Sequence, residues 1–144
     1  MSHKSYFMKL EYLSAYLPYK INCVVEGYDK PLPMISAYDD NEHGCGASLQ
    51  EVAGNDFGFN PDEFKLILLS LSELSKIHID TMLSDLLIDN PDTIALIQTI
   101  TQPLASKYGI NNRLPNSVFC WLLERGYDIY GLITSGDAVS KNSL

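Results

Sequence analysis

The chain has 144 residues, 46% hydrophobic and 19% charged, which suits one globular domain that can fold without a metal or a disulfide. Its 18 Asp and Glu against 10 Lys and Arg give a net charge of −8, and the cations form no run, which argues against direct binding of DNA or RNA. Cys23, Cys45 and Cys120 are too few and too scattered for a secreted disulfide framework. No apolar run approaches the ~18 residues of a membrane span, and the N-terminus lacks the apolar core of a signal peptide, so a reducing cytoplasm is the expected setting.

Residues 1–7 read as a flexible extension, 8–139 as a single domain and 140–144 as a C-terminal tail. Leu10, Leu13 and Leu17 share one helical face, with Tyr12 and Tyr16 beside them, and Pro18 is expected to stop that helix. From Ile21 to Glu26 the pattern alternates, with Ile21, Cys23 and Val25 facing one way, as in a strand. Gly27, Asp29, Pro31 and Pro33 then turn the chain, and Met34–Tyr38 returns as a second strand. Asp39–Gly46, DDNEHGCG, reads as an exposed polar loop. A third short strand is expected over Ala47–Ala53, followed by a turn at Gly54–Gly58.

The next segment fits two patterns. Asn60-Pro61-Asp62-Glu63 resembles a helix start, and Phe64, Ile67, Leu68 and Leu71 fit a helical stripe. Phe64, Leu66 and Leu68 also alternate with Lys65, as in a strand. Asp80 is placed to cap a helix through Met82, Leu83, Leu86 and Leu87. Asn90-Pro91-Asp92 starts another that carries Ile94 and Ile97, with Pro103 ending it. The last clear helix begins near Pro115, with Asn116 or Ser117 as cap, Val118, Trp121, Leu122 and Arg125 on one face, and Gly126 as a left-handed stop. Ile129, Leu132 and Ile133 add an apolar turn before Gly136. This order predicts an α+β fold: a small N-terminal antiparallel sheet or hairpin packed with several short helices, mostly C-terminal.

Chemistry-bearing residues concentrate in the polar loop. Asp39, Asp40, Glu42, His43 and Cys45 form a candidate partner-binding face, because from Pro31 to Phe64 there are seven acids and no Lys or Arg. A zinc site wants four ligands in two spaced pairs, and His43 with Cys45 supplies one pair. Asp39, Asn41 and Gly44 match the first, third and sixth positions of a calcium loop, but His43 and Gln50 fail the fifth and twelfth. Cys45 as a nucleophile has His43 near it but no orienting third group. Cys23 and Cys120 sit on apolar faces and read as core, and His78 as a boundary residue. There is no phosphate loop, G-x-S-x-G, paired C-x-x-C or H-E-x-x-H. No catalytic residue, metal ligand or cofactor is therefore assigned, and the pattern leans away from an enzyme.

Three segments in order carry a resemblance: Leu13–Ile21 (LSAYLPYKI), Phe64–Leu74 (FKLILLSLSEL) and Trp121–Val139 (WLLERGYDIYGLITSGDAV). Together the chain resembles a group of short uncharacterised proteins from phages and mobile elements of Bacteroidetes. It departs from them at Arg125-Gly126-Tyr127, where they often place a Trp-His-Phe-like run. Their prolines inside the second segment imply an extended conformation for 64–69. The resemblance implies a mobile-element origin and the cytoplasm of a bacterial host, and carries over no functional residue. The expected function is that of an acidic accessory protein that binds a host or phage protein, without nucleic acid or membrane. The alternatives are a small metal- or cysteine-dependent enzyme centred on His43 and Cys45, or a structural assembly component.

Overall fold

Alternation of buried and exposed side chains builds the sheet of the computed structural model, which describes residues 10–40, 44–50, 56–59, 63–102, 105 and 114–143. Its strands are β1 (Asn22–Val25), β2 (Leu32–Asp40), β3 (Gly44–Gln50), β4 (Asp56–Phe59), β5 (Phe64–Leu68) and β6 (Ala138–Ser140), in the order β4-β3-β2-β1-β5-β6. β1 to β4 form an antiparallel meander, β5 pairs antiparallel with the free side of β1, and β6 pairs parallel with β5. Leu32, Cys23, Leu66 and Ala138 are successive partners across four strands, and all four are buried. Each Leu so buried contributes roughly 1.5–3 kcal/mol.

The helices are α1 (Leu10–Tyr16), α2 (Lys76–Asp85), α3 (Pro91–Thr99), α4 (Asn116–Glu124) and α5 (Leu132–Ser135). Their inward residues, among them Leu13, Tyr16, Met82, Ile97, Val118, Trp121, Leu122 and Leu132, join the buried strand residues in one core. The other face of β1 and β5 presents Asn22 and Lys65, both exposed, beside the half-buried Val24 and Ile67.

The class is α+β, as expected, but two parts of the expectation are corrected. The sheet is not confined to the N-terminal part, because β5 comes from mid-chain and β6 from near the end. Nor do the helices gather in the C-terminal part, since α1 precedes every strand. With three residues, β6 is too short to show alternation, and its place is set by long-range pairing to Leu66, Ile67 and Leu68. The expected tail begins one residue inside β6, and Lys141–Ser143 continues as a 3-10 turn whose Asn142 amide donates to Glu73. Residues 1–7 lie outside the described residues.

Boundaries shift for local reasons. Asp39, Asp40 and Gly44–Gly46 belong to β2 and β3 instead of a loop, because backbone pairing continues past the last apolar residue. Gly46 permits this, since a Cβ there would come within 2.9 Å of the Tyr38 ring. The expected turn at 54–58 gives way to β4 at Asp56, and 64–68 is a strand with Phe64, Leu66 and Leu68 buried. Pro18 lies within a 3-10 turn, Leu17–Tyr19, that continues directly from α1. Ser75, not Asp80, caps α2: its Oγ accepts from the His78 N–H, and its N–H faces His78 Nδ1. Asn90 caps α3 as its sequence suggests, whereas α4 follows Pro115 without any side-chain cap.

Candidate functional site

The register brings two of the expected site residues together. Asp39 pairs with Cys45 and Asp40 with Gly44 at the far end of the β2–β3 hairpin, while Glu42 and His43 lie outside the described residues. Among the described residues no group of three His, Cys, Asp or Glu is placed to hold a metal ion. Cys23 is buried, and burial pushes its thiol up to about 12, which keeps it protonated and inert. Cys120, expected in the core, is exposed instead, because it stands two residues from the buried Val118 and so turns away on the helix. His78 is exposed and serves the α2 cap.

A buried polar node lies where sequence patterning indicated only apolar packing. Tyr16 is fully buried; its hydroxyl donates to the Tyr127 carbonyl at 2.6 Å and accepts from the Ile129 N–H at 3.1 Å. Next to it, buried Asp128 accepts from the Leu132 N–H at 2.8 Å and the Ile133 N–H at 2.9 Å, so its carboxylate caps α5. Burial raises the Asp128 carboxyl above the ordinary aspartate range, against the opposing pull of hydrogen bonds from Ile133, Leu132, Tyr130 and Gly131. Burial likewise holds the Tyr16 phenol well above its ordinary value, so it stays a neutral donor. The one hint in the sequence was an acid four residues ahead of an apolar pair. This node is closed to solvent and acts as scaffold.

What it scaffolds is a cleft of about 310 Å³ lined by Lys20, Ile21, Asn22, Pro31, Ile67, Leu69, Glu124, Arg125, Gly126 and Lys141. Lys20 ends the 3-10 turn in a left-handed conformation, φ 50° and ψ 51°, and β1 then starts at Asn22, also in the lining. Leu69 is pinned within the lining: its N–H donates to the Gly126 carbonyl, and its carbonyl accepts from the Asp128 N–H, both at 2.8 Å. Gly126 takes φ 77°, which lets the chain leave α4 and reach that bridge.

Arg125 is held in place. Its guanidinium carbon lies 3.7 Å from the centre of the Trp121 ring, and Nη1 donates to the Trp121 carbonyl at 3.1 Å. The indole N–H in turn donates to Asp85 at 3.2 Å, tying α2 to α4. Asp85 and Glu124 each approach the guanidinium at 3.7 Å, but these half-exposed pairs are worth little, at most about 1 kcal/mol. Lys20, Arg125 and Lys141 are half of the described Lys and Arg, the others being Lys30, Lys65 and Lys76. Glu124 is the single acid in the lining. Sequence reasoning missed this site because its residues come from separate segments that only the fold joins.

Among the described residues, no helix is long and apolar enough to cross a membrane. Compared with known proteins, the chain matches no family model, no curated protein and no solved structure.

Proposed function

We propose that this is a small acidic accessory protein of phage or mobile-element type, which acts in the bacterial cytoplasm by binding a host or phage protein without catalysing a reaction. The supporting observation is the charge of one half of the sheet. β2, β3 and β4 fall wholly within the span from Pro31 to Phe64, which has seven acids and no Lys or Arg. Three adjacent strands without a cation attract a basic partner surface and repel an acidic one. Asp39, Asp40 and Cys45 at the far end of the β2–β3 hairpin, together with Glu42 and His43 from the segment that joins the two strands in sequence, are the contact residues in this reading.

Affinity capture from host lysate with the tagged protein, beside Asp39→Lys/Asp40→Lys/Glu42→Lys, tests the proposal. One dominant partner should be enriched by the wild type and lost with the triple variant, whose circular dichroism stays unchanged. A partner retained equally by both removes the acidic hairpin from the contact, and no enriched partner at all removes the binding role.

A further inference from the structure

We propose that the cleft between β1, β5 and the end of α4 binds a small organic oxyanion. Its carboxylate or phosphate head sits among Lys20, Arg125 and Lys141, and its apolar body lies on Ile21, Ile67 and Leu69. Four observations converge on this site.

The first is charge. In a chain of net charge −8, a concave site carrying three cations, against Glu124 in its lining and Asp85 beside Arg125, still has a positive balance and runs against the overall field. The second is size and lining. About 310 Å³ is at the small end of ligand pockets, and the lining divides about evenly between charged or polar side chains and the apolar Ile21, Pro31, Ile67 and Leu69, which suits a ligand with a charged head and an apolar body.

Preorganisation is the third. Arg125 is stacked on Trp121 and hydrogen-bonded to its carbonyl, so the guanidinium is held in place without further ordering of the side chain. Its contacts with Asp85 and Glu124, both at 3.7 Å, are long enough for an incoming oxyanion to compete with them.

The fourth is the backbone at Lys20. A left-handed conformation is relaxed for glycine and less favourable for lysine, yet a lysine stands there, in the lining of the cleft. That conformation closes the 3-10 turn through the Lys20 N–H to the Leu17 carbonyl, and so fixes the point from which the lysine side chain joins the lining. The body of the ligand meets a wall that the fold holds firm, since Leu69 is bonded on both sides to the segment from Gly126 to Asp128.

The probes are phenyl phosphate, benzoate and, as a cation of like size, benzylamine, each titrated into the full chain at low salt and followed by amide chemical shifts. Phenyl phosphate or benzoate should shift Ile21, Asn22, Leu69, Gly126 and Lys141 with a Kd on the order of 1 mM or tighter. The stronger of the two identifies the head group, and benzylamine should leave these amides unmoved. Lys20→Gly and Lys141→Gln should each weaken binding about fivefold or more, as loss of one charge-assisted contact does. Lys76→Gln, outside the cleft, should leave binding unchanged. Lys20→Gly relaxes its own backbone, so its spectrum should remain that of the folded protein and its loss of binding cannot be ascribed to unfolding. Equal shifts with benzylamine, shifts confined to other residues, or undiminished binding by both cleft variants would overturn the assignment.

Discussion

The Tyr16 hydroxyl joins a carbonyl and an amide that lie more than a hundred residues further along the chain, and it does so with no exposure to water. Tyr16→Phe keeps the ring but leaves the Tyr127 carbonyl and the Ile129 N–H without that partner, which costs about 1–3 kcal/mol of unfolding free energy. Urea unfolding followed by fluorescence of Trp121, the single Trp and a buried one, measures it. Asp128 makes a prediction of opposite style, one of slope and not of size. Its native carboxyl titrates above the ordinary aspartate range, so the folded chain keeps a proton where the unfolded chain has released it. The stability it contributes is greatest below that range and declines as pH rises through the native value. Wild type should therefore lose stability relative to Asp128→Asn, which does not titrate, as pH rises across that window in parallel urea titrations. A difference that grows with pH would mean that the surrounding amides outweigh burial.

At the level of elements, β6 shows what three residues can do. It covers the outer side of β5, and without it Leu66 and Leu68 would stand on an edge strand. Removing 138–144 should cost on the order of 2 kcal/mol or more through the apolar surface uncovered. Hydrogen exchange should accelerate at Leu68 while the β2–β3 ladder stays protected; uniform protection would show that β6 adds nothing to β5. This strand was also the least legible in the sequence, since Ala138-Val139-Ser140 has no period of its own. β1, the Asn90 cap and the Gly126 stop could be read because each rests on local chemistry: alternation, an amide side chain before Pro91, and a residue free to take positive φ. Asp80 misled because any acid near a helix start resembles a cap, and only the fold shows Ser75 five residues earlier filling that position. By pattern alone the segment from Phe64 favours a helix over a strand, the extended reading rests on the resemblance, and pairing with the free side of β1 makes it a strand. The acidic face could be read as composition. The cleft could not, because Lys20, Arg125 and Lys141 carry no mutual signal along the chain.

Across the whole molecule, charge is divided within one sheet: β2 to β4 fall in the cation-free span, while the cleft cations border β1, β5 and β6. If the acidic half makes the protein contact, capture of the partner should weaken steeply with added salt, because exposed charges are screened beyond about 8–10 Å at physiological ionic strength. Capture that persists unchanged in 0.5 M salt, where screening is stronger still, would point to an apolar contact instead. The Tyr16 bridge also sets an order of events during synthesis. Its two partners are made 111 and 113 residues after the tyrosine. At about 5–20 residues per second the ribosome takes roughly 6–23 s to supply them. Throughout that interval the nascent α1 holds a phenol that has nowhere to dock, and β5 waits with its second side bare. The nascent chain thus cannot complete this core before Tyr127 to Ile129 emerge, and ribosomes stalled before Tyr127 should display a product that proteases cut readily.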